Sequence, residues 1–271
     1  MVEIRNIKIG DNHPLVLIAG PCVVESKDIL WQTAETIKTI SDKLNIPYIF
    51  KSSFKKANRT NLNSFVGIGD EEAIYLLSEV RKEFNIPVLT DIHKESDVNL
   101  VLGSVDIIQI PAFLCRQTDL LIAAGNSGLV VNIKKGQFLA PEDMKHAAEK
   151  VAMTGNKKIL LTERGTTFGY HNLVVDMRSL VIMKELGYPV VMDATHSVQL
   201  PSKENVSGGQ PKFIKPLAKA ATAIGIDALF LEVHPNPSKA LSDAESQLPL
   251  GELESLLTEI KELDKLTKSY L

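Results

Sequence analysis

The chain has 271 residues, of which 44% are hydrophobic and 23% charged, and its formal net charge is −3. A mean hydropathy of +0.04 and a pI of about 6.1 describe an ordinary globular composition with enough apolar mass for a large core. The slight acidity argues against a nucleic-acid binder, and no apolar run approaches the roughly 18 residues that a membrane helix needs. The charged start Met1-Val2-Glu3-Ile4-Arg5 does not read as a signal peptide. Cys22 and Cys115 are too few and too far apart for a disulfide framework, and read as reduced thiols of a cytoplasmic protein.

Along the chain, Val2–Asp11 reads as an extra strand or hairpin plugging one end of the fold, within an extension spanning 1–13. Near-continuous apolar runs then predict strands at Leu15–Ala19, Tyr48–Lys51, Val88–Asp91, Ile107–Ile110, Leu129–Ile133, Ile159–Thr162, Val190–Asp193 and Ala228–Glu232. Such runs suit parallel strands buried on both faces. Amphipathic stripes lie between them: Leu30, Ala34, Ile37, Ile40 and Leu44 in one helix, then Ala73, Leu76, Leu77, Val80 and Phe84 in the next. Leu253, Leu256, Leu257, Ile260 and Leu263 make a closing helix. Eight strand–helix units in about 250 residues form the pattern of a closed (β/α)8 TIM barrel. A doubly wound sheet would carry a glycine-rich turn after the first strand, and Gly20-Pro21-Cys22 is not one. With no biased linker, residues 1–271 read as one domain.

Barrel enzymes work at the carboxyl ends of their strands, and the chemically capable residues fall there. Cys22 follows the first strand. Lys51 ends the second, with Lys56, Asn58 and Arg59 beyond it. Asp91 and His93 end the third. Gln109 and Arg116 belong to the fourth, and Asn132 and Lys134 to the fifth. Glu163 and Arg164 end the sixth, Asp193 and His196 the seventh, and Glu232 and His234 the eighth, with Asp243 in the last loop. Lys51, Lys56, Arg59, Arg116, Lys134 and Arg164 are each unremarkable as surface charge. Gathered on one concave rim they form an anion receptor larger than one phosphate requires, which suggests two anionic substrates.

Cys22, His196, Glu232 and Asp243 form no compact metal motif, but a closed ring makes the seventh, eighth and first strands neighbours, about 4.8 Å apart. A thiolate, an imidazole and two carboxylates suit zinc, iron, cobalt or manganese. The alternatives are a buried packing thiol at Cys22 and a hydrogen-bonded rim histidine at His196. Ser207-Gly208-Gly209 with Gln210 reads either as a lid or as an ordinary loop.

Several motifs resemble the 3-deoxy-D-manno-octulosonate 8-phosphate (octulosonate-phosphate) synthases. They are Ile18-Ala19-Gly20-Pro21-Cys22, Lys56-Ala57-Asn58-Arg59-Thr60, the run from Gln109 to Asp119, Asp193-Ala194-Thr195-His196-Ser197-Val198-Gln199, Glu232-Val233-His234-Pro235 and Leu241-Ser242-Asp243. The resemblance covers nearly the whole chain after residue 14. It implies condensation of phosphoenolpyruvate with arabinose 5-phosphate for lipopolysaccharide synthesis. Lys51, Lys56, Lys134 and Arg164 would hold phosphoenolpyruvate, with Gln109 nearby. Asn58, Arg59 and Thr60 would hold the pentose phosphate, with Asp91 at a sugar hydroxyl. The catalytic set expected is Lys51, Lys56, Lys134, Arg164, His196 and Asp243. The family is usually homotetrameric, with Arg116 reaching the sugar phosphate in a neighbouring subunit's site. Members with cysteine at the position of Cys22 use a divalent metal, those with asparagine none, so the metal-dependent class is expected, with Cys22, His196, Glu232 and Asp243 as ligands.

The departures are Lys55 in place of an acidic residue, Thr60 in place of serine, and His171 where Asn or Asp is commoner. The nearest rival is a heptulosonate-phosphate synthase using erythrose 4-phosphate, whose sugar loop reads Lys-Pro-Arg-(Ser/Thr) without the inserted Asn58. A non-catalytic sugar-phosphate sensor is the rival of another class.

Overall fold

The structure, a computed structural model, describes residues 1–58, 61–200 and 208–270. Two short antiparallel strands come first, Val2–Ile4 paired with Ile7–Ile9. The barrel strands follow: β1 (Val16–Gly20), β2 (Tyr48–Lys51), β3 (Val88–Asp91), β4 (Ile107–Ile110), β5 (Val130–Lys134), β6 (Ile159–Glu163), β7 (Val190–Asp193) and β8 (Ala228–His234). Each pairs in parallel with the next, β8 pairs with β7 from Val191↔Ala228 to Asp193↔Phe230, and β8 pairs with β1 from Ala228↔Val16 to Glu232↔Gly20, closing the ring. The helices between are α1 (Lys27–Leu44), α2 (Asp70–Glu83), α3 (Glu95–Val101), α4 (Thr118–Asn126), α5 (Met144–Ala152), α6 (Arg178–Glu185), α7 (Ile214–Ile224) and α8 (Leu253–Lys268). The predicted (β/α)8 barrel with an N-terminal hairpin is the observed fold, with strand limits shifted by at most two residues.

Why these elements form is visible locally. Ser26 caps α1, its hydroxyl accepting from the Ile29 amide at 3.3 Å, and Asn45 ends the helix at φ 50°, a left-handed conformation that asparagine tolerates. The predicted stripes of α1, α2 and α8 are the faces they bury. Strand side chains alternate between two cores. Outward positions such as Leu17, Phe50, Ile108, Val131 and Leu161 pack under the helices. Inward positions Val16, Ile18, Ile49, Leu89, Ile107, Val130, Leu160, Val191, Ala228 and Phe230 pack together with Val2, Ile4, Ile7 and Ile9 of the hairpin. The hairpin is therefore the plug at the amino-terminal end of the barrel, its Glu3 and Lys8 exposed.

Arg5 locks this plug from outside. Its guanidinium donates to both oxygens of Asp106 at 3.0 and 3.3 Å. Arg81 of α2 donates to the same carboxylate at 2.9 and 3.0 Å, and the Val88 amide at 3.0 Å. No helix among the described residues is long and apolar enough to cross a membrane.

Candidate active site

Going up each strand, the inward positions change from apolar to polar at a common height. Above the layer containing Phe230 stand Lys51, Asp91, Gln109, Asn132, Lys134, Thr162, Asp193 and Glu232, all buried. Backbone proximity at this height requires a glycine. A Cβ at Gly20 would lie 2.0 Å from the Lys51 carbonyl oxygen, so only glycine lets β1 deliver Cys22 beside Lys51. Over this floor opens a cavity of about 560 Å³, lined among others by Lys51, Lys56, Asn58, Asp91, Lys134, Arg164, His196, Glu232 and Asp243.

The buried cations are paired. Lys51 Nζ donates to Glu232 Oε1 at 2.6 Å and to the Cys22 carbonyl at 2.9 Å. Lys134 Nζ donates to Asp193 Oδ2 at 2.7 Å. Lys56 Nζ lies 2.9 Å from Asp243 Oδ2 and 3.0 Å from Cys22 Sγ. Lys134 and Lys51 also stand over the Phe230 ring, 4.2 and 5.5 Å from its centroid. Burial works against the Lys51 ammonium, but Glu232 and Asp91 outweigh it and its pKa is raised. Burial likewise opposes ionisation of Asp193, but His196 and Lys134 hold its carboxyl well below the usual range. The site thus keeps its charges although it is buried. Arg164 donates through Nη2 to Gln199 Oε1 at 2.8 Å. Its buried Nη1 has no partner among the described residues, which leaves a donor for an anion in the cavity.

The residues expected to hold a metal fit one. Cys22 Sγ and carboxylate oxygens of Glu232 and Asp243 lie within 4.8 Å of one another. Glu232 Oε2 is buried without a hydrogen-bond partner among the described residues, a state that an unmet ligand bond explains. His196 stands beside the cluster, Nε2 3.4 Å from Glu232 Oε1 and Nδ1 2.8 Å from Asp193 Oδ2. The Asp193 carboxylate can only accept, so it orients the ring through Nδ1–H and aims Nε2 at the cluster. Asp243 reaches in from a backbone at φ 48°, left-handed and tolerable for aspartate. Burial, then Glu232, raise the Cys22 thiol well above its ordinary pKa, so a cation binding there must displace a proton.

A family profile described as the DAHP synthetase I family matches residues 1–269. The chain belongs to this family. Relatives named 2-dehydro-3-deoxyphosphooctonate aldolase include one from Syntrophotalea carbinolica, 52% identical over 268 residues that cover 98% of this chain and 97% of the relative. Another, from a Cyanothece species, is 54% identical over 264 residues, covering 96% and 97%. A third, from Rickettsia prowazekii, is 52% identical over 272 residues, covering 100% and 99%.

Within this DAHP synthetase I member, most residues expected from sequence converge on the cavity, but not all. Arg59, Thr60 and Ser207 lie outside the described residues. Gly208–Gly209 form a short antiparallel pair with Gln199–Leu200. Arg116 is exposed on the loop after β4 and does not line its own chain's cavity. Gln109, expected near phosphoenolpyruvate, stands in the floor with its amide bonded to Asn132 and Asp91 and does not line the cavity. Lys55 lines the cavity and is paired, donating to Asp70 at 2.7 Å and lying 3.9 Å from Asp97. His171 sits at φ 52°, which explains why Asn or Asp suits that position. Sequence reasoning gave no role to Ser53, Thr162, Gln137 or Gln199. Thr162 reads as one more β-branched strand residue, and only the ring geometry turns it toward the site.

Proposed function

We propose that this chain condenses phosphoenolpyruvate with D-arabinose 5-phosphate and water, giving 3-deoxy-D-manno-octulosonate 8-phosphate and inorganic phosphate. The observation that carries the reading is one cavity lined by Lys51, Lys56, Lys134 and Arg164 beside the Cys22, Glu232 and Asp243 cluster. The relatives' shared name supports the eight-carbon product. Asn58, at the sugar-loop position that the heptulosonate-phosphate synthases lack, lines the cavity and favours the pentose over erythrose 4-phosphate.

In this mechanism the methylene carbon of phosphoenolpyruvate bonds to the aldehyde carbon of the sugar, and a water oxygen bonds to the enol carbon. The resulting tetrahedral centre loses phosphate by carbon–oxygen cleavage, the electron pair leaving with the phosphate oxygen. Lys134, Arg164, Lys51 and Lys56 neutralise the carboxylate and phosphate of phosphoenolpyruvate, so that two anions can be held together in a near-attack arrangement. Asp91 accepts a hydroxyl of the sugar. A zinc, iron, cobalt or manganese ion held by Cys22, His196, Glu232 and Asp243 would supply Lewis-acid chemistry, orienting the aldehyde or polarising the water. Asp193, 2.8 Å from His196 Nδ1, orients that imidazole with Nε2 toward the cluster. The protein acts in the cytoplasm as a homotetramer, with Arg116 serving a neighbouring subunit's sugar phosphate.

The test is phosphate release from phosphoenolpyruvate with arabinose 5-phosphate and with erythrose 4-phosphate, after chelation and after adding metal back. Release with the pentose that requires the metal is expected. Preference for erythrose 4-phosphate would overturn the substrate, and undiminished release in the chelated protein would overturn the metal.

A further inference from the structure

Within the cavity floor, four buried side chains on four adjacent strands form a continuous chain of hydrogen bonds. The Thr162 hydroxyl lies 2.6 Å from Asn132 Oδ1, Asn132 Nδ2 lies 2.8 Å from Gln109 Oε1, and Gln109 Nε2 lies 2.6 Å from Asp91 Oδ1. The Ser53 hydroxyl donates to the other oxygen, Asp91 Oδ2. Thr162 and Asn132 are 0% exposed and Gln109 is 1% exposed. None of the three lines the cavity, whereas Asp91 and Ser53 do.

The direction of every bond follows from one end. A carboxylate accepts only, so Gln109 must turn its NH2 to Asp91 and its oxygen to Asn132. Asn132 must then present its own NH2, and its oxygen must take the Thr162 proton. A neutral amide elsewhere could flip at little cost, but here a flip at any position sets two acceptors or two donors face to face away from solvent. The charged terminus makes the last bond the strongest and polarises those behind it. Burial opposes ionisation of Asp91, yet Lys51, Lys134, His93 and the Gln109 bond outweigh it, and its pKa is lowered. With Gln109 on one oxygen and Ser53 on the other, the carboxylate has one rotational setting.

We infer that Thr162 and Asn132 are positioning residues which, through Gln109, fix the rotation of the Asp91 carboxylate and thereby set how tightly and how stereoselectively the aldose hydroxyl is bound. This deepens the reading of Asp91 as the contact for a sugar hydroxyl and rests on it. Asp91 and Ser53 are the cavity-lining end of the relay, so its effect belongs to the group that Asp91 contacts.

The experiment is steady-state kinetics of the metal-loaded enzyme with both substrates varied, for wild type, Thr162→Val, Thr162→Ser and Asn132→Asp. Thr162→Val keeps shape and removes the proton that starts the relay. It should raise KM for arabinose 5-phosphate about tenfold, the size of one lost oriented hydrogen bond, and leave KM for phosphoenolpyruvate within about twofold. The ratio of kcat/KM for arabinose 5-phosphate over its epimer ribose 5-phosphate should fall with it, and Thr162→Ser should restore both. Asn132→Asp forces Gln109 to turn its oxygen on Asp91 and should reproduce the sugar defect should Thr162→Val fail to fold. Equal changes in both KM values, a fall in kcat alone, no change, or no rescue by serine would each overturn the relay. If the wild type turned over erythrose 4-phosphate and not arabinose 5-phosphate, the proposed substrate would fall instead. The same KM split on erythrose 4-phosphate would then decide the relay.

Discussion

Asp193 illustrates how much one buried side chain can settle. It accepts from Lys134 at 2.7 Å and faces His196 Nδ1 at 2.8 Å, so a single carboxylate places both a substrate cation and a proposed metal ligand. Replacing it by asparagine keeps the shape but lets an NH2 group face either partner. Asp193→Asn should weaken metal binding about 10–100-fold, the usual cost of losing the partner that orients a ligand histidine. Competition with a chromogenic chelator measures this directly, and affinity equal to wild type would remove His196 from the ligand set. Cys22→Ala, judged by metal content in the same assay, should be more severe because a ligand itself is lost. The residues themselves, Cys22, His196, Glu232, Asp243 and the rim cations, were all readable as chemistry at strand ends. What hid Thr162, and the bonds that join Asn132 and Gln109 to Asp91, is that a strand residue's face depends on which neighbours it pairs with.

The element that departs from a bare barrel is the N-terminal hairpin. Its Val2, Ile4, Ile7 and Ile9 complete the inner core, and Arg5 ties it to Asp106 beside Arg81. Burial raises the Asp106 carboxyl, but the Arg81 bond and the Val88 amide outweigh it, and its pKa is lowered. A depressed folded-state pKa contributes stability that is complete above the unfolded value of about 3.9 and is lost as pH falls through the folded value. Asp106→Asn should therefore cost about 1–2 kcal/mol near neutral pH, discounted for the solvent around the arginines. The difference in Tm from wild type should shrink between about pH 5 and pH 3. A difference independent of pH would mean that packing, not charge, holds the plug. Alternating apolar residues at Val2, Ile4, Ile7 and Ile9 made a plugging strand or hairpin legible; its register was not, because it depends on an inner layer assembled from all eight strands.

At the scale of the whole molecule, Arg116 lies exposed and apart from its own chain's cavity. If the proposed tetramer places it in a neighbouring site, Arg116→Ala and Lys134→Ala, each crippled alone, should regain part of the activity when mixed under conditions that exchange subunits. In a mixed assembly one site then receives both wild-type residues, and no regain would return Arg116 to its own chain. The amino-acid sequence by itself determined the barrel, since eight apolar runs separated by amphipathic helices have few other ways to bury both faces of every strand. It also determined the residue types at the carboxyl ends, and with them the chemical class of the site. Only the tertiary structure decided which of those residues meet. Ring closure sets β8 between β7 and β1 and so gathers Cys22, Glu232 and Asp243 from positions up to 221 residues apart. The same closure turns Gln109 toward Asp91 and Asn132 and leaves Arg116 outside, because side-chain direction and long-range proximity are properties of pairing register, which no local stretch of chain contains.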